Sequence, residues 1–414
     1  MSLAKEAGPP RGIAIVIMVV LLDMLGFGII IPVLPRLVGG LADVPVSQAA
    51  TIGGWLITTY AIAQFLFAPV IGGLSDRYGR RPVLLLSTAG FAASYLLAGF
   101  ATSMWMLFIG RMLAGATGAS FSASYAYIAD VTPPERRAER FGLVGVAFGV
   151  GFILGPALGG LLGTYDVRWP FFAAAALGAL NLLFGIFLLK ESLAPHLRRP
   201  FDIARANPVG SLLQLSRLGG ALRPLAIAMF LWSLAMQSMN GIWPYVTTYR
   251  YQWTPMQIGI SLAFVGVLAV VVNGLLVRRT VARLGEWRTA ALGVSAGALG
   301  YMIHAAAVTP WLAYVALVVG AIGGLTVPAL QTMLTARVGP DAQGELQGAI
   351  TTLTSLTVMI APPVFSTMFT YVSGDTAIVH APGAPFLLSA IMALGALLML
   401  LRVDRAPLLK AEPA

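Results

Sequence analysis

The sequence predicts an all-α membrane protein with twelve transmembrane helices in two pseudo-symmetric halves of six. Three observations support this fold class. Hydrophobic residues make up 58% of the 414 residues and charged residues only 10%, far below the ~25% of typical soluble domains. About a dozen apolar stretches approach the ~20 residues that cross a bilayer. The stretches are continuous rather than alternating, which disfavours a membrane β-barrel.

The apolar stretches place the twelve helices along the chain. The longest connection, 190–222, predicts a cytoplasmic linker between an N-terminal half, 1–189, and a C-terminal half, 223–414. The predicted spans are 13–35, 48–73, 82–101, 104–128, 141–163, 169–189, 223–246, 255–277, 288–308, 311–334, 344–371 and 384–402.

Basic residues predict the orientation in the membrane. Nearly all of the basic residues lie in both termini and in the loops that join spans 2–3, 4–5, 6–7, 8–9 and 10–11. The loops on the opposite side hold only Arg36, Arg168 and Arg250. This asymmetry predicts cytoplasmic termini and a multi-pass protein of a bacterial-type inner membrane. The net charge of +10 is therefore a topological signal, and nucleic acid is not an expected partner because the charges are spread over several short loops. The chain has no cysteine, which excludes disulfides and thiolate metal sites.

A charged motif occupies the short loop between the second and third spans. It consists of Gly73, Asp76, Arg77, Gly79 and Arg80, and a weaker form of it recurs in loop 8–9. Matching motifs in the same order favour an internal repeat over chance similarity. Two six-helix repeats with a site between them near the midplane are typical of secondary transporters.

The charges at the cytoplasmic ends of helices two and four predict a gate. We expect crossed ion pairs, Asp76 with Arg137 and Asp130 with Arg80, to tie these helix ends together in the outward-open state. Each surface pair contributes only ~0–1 kcal/mol, so only a network could bias a conformational equilibrium. The arginines alone could serve merely to set topology, but that reading leaves the two aspartates unexplained.

Asp23 is the acidic residue that falls deep inside a predicted span, and Arg111 is its basic counterpart. An ionised carboxylate at that depth is costly unless it is paired or faces water, so it is a candidate proton site. Asp23 lies ~16 Å and Arg111 ~20 Å from the cytoplasmic face of a ~30 Å core, so the two could meet. The alternatives are an acid satisfied by hydroxyl or backbone groups and an arginine that caps carbonyls or reaches the interface.

Helix five carries a regular glycine pattern that ends in Gly-Pro-x-x-Gly-Gly. Small residues let helices approach closely, and a proline permits a kink. Packing alone would explain such a stripe. The residues of the pattern are Gly142, Gly151, Gly155, Pro156, Gly159 and Gly160.

The candidate substrate-binding residues are polar or aromatic side chains in the middle of spans two and seven. They are Tyr60, Gln64, Trp232, Gln237 and Asn240. Aromatic and methionine walls with a few amides suit an amphiphilic organic compound, although each residue could equally serve helix packing. No catalytic triad, metal site or phosphate loop is recognisable, so we expect neither an enzyme nor a cofactor nor a metal.

Several stretches resemble the tetracycline/proton antiporters, a twelve-helix drug:proton antiporter family of the major facilitator superfamily. The resemblance lies in Leu21–Gly28 with Pro32–Pro35, in Ser75–Ser87 and in Gly110–Gly115. It implies the major facilitator fold, the coupling role for Asp23 and Arg111, and the gating roles for the cytoplasmic charges. The glycine pattern of helix five resembles the antiporter motif of exporters in the superfamily.

The sequence departs from these antiporters at three positions where they carry ionisable residues within the membrane. Ser94, Ala269 and Gly297 stand there instead. The substrate and the proton route of those antiporters therefore do not carry over to this chain from the resemblance alone. The resemblance therefore implies a proton-coupled exporter of amphiphilic drugs or metabolites that works by alternating access in the lipid bilayer. We expect a monomer because one chain can house the whole pathway. The alternative is a proton-coupled importer of a nutrient or metal chelate on the same fold.

Overall fold

The computed structural model describes residues 11–118, 120–200, 222–339, 342–374 and 377–403, and within these ranges it contains helices and no strand. Most of the predicted linker and the ends of both termini lie outside the described residues. Ten segments are long and apolar enough to cross a membrane.

The N-terminal part of the chain forms eight helices. The first predicted span is longer than expected and includes a short 3₁₀ turn, Ile31–Val33. The fourth span is divided near Gly118 into two shorter helices. The helices are α1 Arg11–Ile29, α2 Leu34–Ala42, α3 Val46–Tyr78, α4 Arg80–Gly99, α5 Met104–Thr117, α6 Ser120–Val131, α7 Arg137–Tyr165 and α8 Trp169–Leu188.

The C-terminal part forms seven helices. A π-helical turn, Val272–Leu276, continues the second of its predicted spans toward the third, and Gly285, with non-helical backbone at φ 75° and ψ 168°, separates these two spans. With these breaks assigned, the twelve predicted membrane crossings are confirmed. The helices are α9 Arg223–Tyr251, α10 Pro255–Val271, α11 Val277–Ala306, α12 Pro310–Ala321, α13 Thr326–Thr335, α14 Gln343–Ser373 and α15 Ala384–Leu401.

Proline and a left-handed residue mark several helix boundaries. Proline stands in the first turn of α8, α9, α12 and α15, where its missing N–H has no intrahelical partner to lose. Gln252 adopts φ 55° and ends α9, and the chain then starts α10 at Pro255. Local sequence signals therefore place these turns.

The chain divides into two compact units. Unit 1 comprises Met1–Val33, Ile62–Asn207 and Pro255–Ala263, and unit 2 comprises Leu34–Ala61, Pro208–Thr254 and Phe264–Ala414. The boundaries fall inside α3 and α10, so each unit includes parts of both predicted halves. The six-helix halves themselves stay a prediction.

Each unit has its own helix packing. In unit 1, α1 packs against α7 and α8, and α4 packs against α8. In unit 2, α15 packs against α9 and α11, and α11 also packs against α12. Large apolar side chains such as Trp105, Phe187 and Leu398 are more than half exposed, as expected for helices that face lipid rather than water.

Candidate functional site

The glycines of α7 form a close contact with α1, which we call the glycine seam (Gly28, Gly151, Gly155 and Gly159). A Cβ atom at Gly151 would lie 2.6 Å from the Cβ of Met24. One at Gly155 would lie 2.9 Å from both the Cα of Gly28 and the carbonyl oxygen of Leu25. Because two of these neighbours are backbone atoms, no side-chain rotation could make room. The glycine pattern thus brings α7 against the helix that carries Asp23.

The remaining residues of the pattern have different surroundings. Gly159 packs against the backbone of Ile29, and a Cβ at Gly160 would lie 2.6 Å from the carbonyl oxygen of Pro255 at the start of α10. Pro156 is buried inside α7, where its Cδ contacts Gly28. Gly142 is exposed, and no atom lies within 4 Å of its Cβ position, so Gly142 lies outside the seam.

Asp23 is buried, with 5% of its surface exposed. The side-chain nitrogen of Asn181, on α8, donates a hydrogen bond to Asp23 Oδ1 at 3.1 Å. The same nitrogen donates to the carbonyl oxygen of Val19, one turn earlier on α1, also at 3.1 Å. Sequence reasoning missed Asn181, although one carboxamide in the otherwise apolar α8 was a signal that could have found it.

Two further polar side chains come from α4 and α5. Arg111 is half-buried on α5. Tyr95 on α4 is buried, and its hydroxyl lies 3.6 Å from the position that a Cβ at Gly26 would take. The contact between Asp23 and Arg111 stays a prediction.

Arg80 is the centre of a charged network at the C-terminal ends of α3 and α6. It lies within 3.2 Å of Asp130 Oδ2, and its Nη1 donates to Asp76 and to Ser75 Oγ. Ser192 Oγ donates to the same Asp130 oxygen at 3.0 Å. One of the two crossed pairs, Arg80 with Asp130, is therefore present.

The other crossed pair, Asp76 with Arg137, is not formed in the described part of the chain. Arg137 instead donates to the carbonyl oxygens of Ala129 and Thr132, at 3.0 and 3.2 Å. These carbonyls lie at the end of α6, where the helix leaves acceptors unpaired and the helix dipole favours a cation. Arg137 is thus close enough along the chain to cap its own preceding helix.

Gly79 and Glu191 show why the loop motif contains its second glycine. Gly79 has φ 108°, a conformation that side chains disfavour. The Glu191 carboxylate accepts from the backbone N–H groups of Arg80 and Arg81, at 2.8 and 3.2 Å, and it would collide with a Cβ at Gly79. An anion that caps the start of α4 is favourable. Sequence reasoning missed this role because Glu191 is distant along the chain.

The last two motif residues have less specific contacts. Gly73 is partly buried in α3. Arg77 is exposed and its guanidinium lies 5.1 Å from the ring centroid of Tyr78. Their predicted gating roles rest on the motif alone.

Unit 2 contains a partly open cavity of about 230 Å³, which we call the apolar cavity. Among its lining residues in the described chain there is no Asp, Glu, Lys or Arg. The π-helical turn after α10 contributes Asn273, and π-helical turns frequently occur at functional sites. The side chains that give the cavity its character are Trp232, Met236, Met239, Asn240, Asn273, Tyr301 and His304.

Glycines shape the wall of the apolar cavity around Trp232. A Cβ at Gly297 would collide with its ring, and one at Gly323 would lie 2.7 Å from it. Trp232 is 2% exposed, and its indole N–H has no hydrogen-bond partner among the described residues. A buried donor without a partner is costly.

The predicted substrate-binding residues are only partly brought together. Trp232 and Asn240 line the apolar cavity, whereas Gln237 is not among its lining residues and accepts from Asn240 Nδ2 at 3.1 Å. Tyr60 is half-buried on α3, and Gln64 donates to the carbonyl oxygen of Gly118 at 3.3 Å. The cavity also includes Ala269 and Gly297, two positions where the resembled antiporters carry ionisable residues.

Twelve membrane crossings, a carboxylate buried within one of them and a cavity among the helices define a polytopic membrane transporter. The family model of the Major Facilitator Superfamily matches residues 16–362. The chain belongs to this superfamily. Its members are transporters, so the expectation of a transporter rather than an enzyme holds.

Bacterial resistance proteins are among the similar sequences. The tetracycline resistance protein of class C from Escherichia coli is 40% identical over 360 residues, 87% of this chain and 90% of that protein. The class G protein from Vibrio anguillarum is 38% identical over 363 residues, 87% of this chain and 91% of that protein. The predicted resemblance to the tetracycline antiporter group is confirmed.

Solved structures agree on the fold. The human organic anion transporter MFSD10 superposes with a TM-score of 0.69 at 24% identity, over 95% of this chain and 100% of that one. At this identity the likeness shows the major facilitator fold alone.

Proposed function

We propose that this protein exports amphiphilic, drug-like organic compounds in exchange for protons, by alternating access. The observation that carries the proposal is Asp23, a carboxylate only 5% exposed inside a membrane span. An ionised carboxylate in such a place is costly unless it is paired or faces water, so it is a functional candidate. The identity to tetracycline resistance proteins over 87% of the chain supports drug compounds as the substrate class and export as the direction.

Asp23 is the proposed proton-carrying group. When the site faces the acidic side of the membrane, the carboxyl takes up a proton, and when it faces the cytoplasm, it releases the proton. Arg111, which the sequence places at a similar depth in the membrane, is proposed to hold the ionised form of the Asp23 carboxyl group. A substrate or proton that competes for this carboxylate would make the two binding events exclusive, which is the requirement for antiport.

The glycine seam supports the same assignment. It fixes α1 against α7 through close contacts on both sides of Asp23, with backbone atoms of Leu21 and Leu25 and with the Cβ of Met24. Backbone-to-backbone packing leaves little freedom, so a movement of α7 is transmitted to the carboxylate. This mechanical link gives a physical reason why the glycine pattern that resembles the exporter motif lies in α7, a helix without a charged side chain in the membrane.

The apolar cavity is the proposed substrate subsite. Its thioethers and aromatic rings suit a planar, apolar ring system. The carboxamides of Asn240 and Asn273 and the indole N–H of Trp232 supply polar contacts for orientation. Tetracycline, the compound named for the similar resistance proteins, combines fused rings with a polar edge and is the first compound to test.

The cytoplasmic network of Asp76, Arg80 and Asp130 is the proposed gate. Its ion pairs lie at the membrane surface, where each is weak. Because a switch must break as easily as it forms, weak pairs that act together suit this role. We further propose a monomer in a bacterial inner membrane with both termini in the cytoplasm, on the distribution of basic loops.

The direction of transport is tested in a bacterial host that lacks its own efflux pumps. We expect expression of the protein to lower the cellular accumulation of tetracycline or of a fluorescent amphiphile, and a protonophore to restore it. The Asp23→Asn variant, expressed at equal membrane abundance, is the control that should not transport. Increased accumulation on expression, abolished by the protonophore, would identify the alternative, a proton-coupled importer, and would contradict export.

A further inference from the structure

Asn181 contacts the proposed proton site although no motif includes it. It is 1% exposed in the middle of α8, a helix whose membrane part contains no other polar side chain. Its Nδ2 atom donates to Asp23 Oδ1 and to the carbonyl oxygen of Val19. A single side chain therefore connects α8 to the carboxylate and to the backbone of the helix that bears it.

The carbonyl of Val19 fixes the orientation of the Asn181 amide. A backbone carbonyl can only accept hydrogen bonds, whereas a carboxamide presents a donor on one side and an acceptor on the other. Turning the amide over would place its oxygen against the carbonyl of Val19 and lose both hydrogen bonds. Asn181 is thus held as a donor toward Asp23.

A fixed donor favours the ionised form of the carboxyl group. Hydrogen bonds to a charged acceptor are stronger than those to a neutral one, whereas burial favours the neutral acid. Asn181 acts in the direction opposite to burial. Removing it should make Asp23 hold its proton more tightly.

The other ionisable groups near α1 come from different helices. Tyr95 on α4 lies close to Gly26, and Tyr127 on α6 contacts α1 near its start, at Gly12; Arg111 on α5 is the group that the sequence predicts at a similar membrane depth. Between residues 141 and 164, α7 contributes no ionisable side chain, and α8 contributes none. Asn181 is therefore the polar group through which α8 acts on the carboxylate.

Packing alone does not account for an asparagine at this position. The Oδ1 atom of Asn181 is buried and has no partner among the described residues. A leucine of similar size would fill the same space without a desolvated carbonyl. The polar residue is best explained by the donor that it supplies.

We propose that Asn181 is a positioning residue that sets the pH range in which Asp23 exchanges its proton. The proposal rests on the proposed proton-coupled function and adds a specific residue to it. Asn181 does not itself carry the proton. It orients the carboxylate and favours proton release toward a near-neutral cytoplasm.

The test measures the protonation of Asp23 directly and transport separately. Infrared difference spectra of the purified protein, with the Asp23→Asn spectrum subtracted, report the carboxyl group as a function of pH without any substrate. In Asn181→Leu we expect the midpoint to rise by about one to two pH units, tenfold to a hundredfold in proton concentration. The pH optimum of substrate transport in proteoliposomes should move in the same direction.

The matched control is Thr88→Val, which removes another buried polar group of unit 1. Thr88 donates only to the carbonyl oxygen of Leu84 in its own helix, α4, so its loss should leave the midpoint unchanged. If Asn181→Leu does not fold, Asn181→Ala removes the donor with a smaller side chain and should shift the midpoint the same way. Thermal unfolding reports the folding of each variant.

The outcomes separate this inference from the proposed function. A raised midpoint in a protein that transports none of the compounds tested would support the role of Asn181 and contradict the proposed exporter. An unchanged midpoint in folded Asn181→Leu and Asn181→Ala would overturn the role of Asn181 and leave proton coupling intact. An Asp23 signal that does not titrate would overturn both.

Discussion

Glycine acts in opposite ways in two regions of this molecule. In the glycine seam, Gly151 and Gly155 remove side chains so that two backbones touch. In the apolar cavity, Gly297 and Gly323 remove side chains so that one large ring, Trp232, can lie between helices. The first region surrounds a buried carboxylate, and the second is lined by residues without a carboxylate. The difference agrees with the proposed division of work, in which the proton binds near the seam and the substrate binds in the cavity.

The seam should be the most sensitive of these regions to added volume. Gly155→Ala places a methyl group against the backbone of Gly28 and Leu25, which cannot turn aside. We expect a loss of ~1–3 kcal/mol of stability, seen as a lower melting temperature in detergent, together with reduced transport. Gly142→Ala is the control, because its Cβ position is open. Equal melting temperatures for the two variants would contradict the close backbone contact at the glycine seam.

The apolar cavity should tolerate added volume but lose its ligand. The Cβ position of Gly320 has one neighbour, the Cα of Gly300, at an ordinary 3.9 Å. A leucine there would occupy the cavity, and we expect tetracycline to bind ~10-fold or more weakly with little change in melting temperature. The affinity is measured by titrating tetracycline with the purified protein and recording the tetracycline fluorescence.

Gly142→Leu is the matched control for the cavity variant, because it adds the same side chain at an exposed position of α7. Its tetracycline affinity should equal that of the wild type. If Gly320→Leu binds tetracycline as tightly as Gly142→Leu, the substrate lies elsewhere and the proposed division of work fails.

The gate should show the smallest effect. Arg80 joins Asp76 and Asp130, and Arg80→Ala removes both ion pairs at once. Since exposed pairs contribute ~0–1 kcal/mol each, we expect a transport rate lowered about two- to fivefold. The effect should diminish at high ionic strength because salt screens such pairs. Initial transport rates in proteoliposomes at two salt concentrations measure it.

Arg136→Ala is the control for the gate. Among the described residues, Arg136 pairs with Glu139 alone, at 3.4 Å, and both side chains are more than half exposed. Its loss should leave the rate unchanged. An equal decrease in the Arg80 and Arg136 variants would show that general surface charge, rather than the network, determines the rate.

Features that depend on local pattern could be predicted from the sequence. Apolar length alone places the twelve crossings, and the spacing of the α7 glycines predicts a close helix contact. Asp23 is recognisable because a carboxylate in an apolar run has few explanations. The pairing of Arg80 with Asp130 also follows from the charges at adjacent helix ends.

Features that depend on contacts between distant parts of the chain could not be predicted. Glu191 caps α4 from more than a hundred residues away, and the preference of Arg137 for carbonyls of α6 is a choice among several partners. The donor from Asn181 to Asp23 depends on how α1 and α8 are rotated against each other. The apolar cavity depends on the π-helical turn at Val272–Leu276, which hydropathy does not reveal.

The central claim is that Asp23 exchanges a proton for substrate. The most direct test uses inverted membrane vesicles with an acidified interior, to which tetracycline or another amphiphile is added while the internal pH is recorded. The account predicts proton release that starts with the compound in wild-type vesicles and is absent in Asp23→Asn at equal abundance. Substrate-dependent proton release of equal size in the Asp23→Asn vesicles would contradict it.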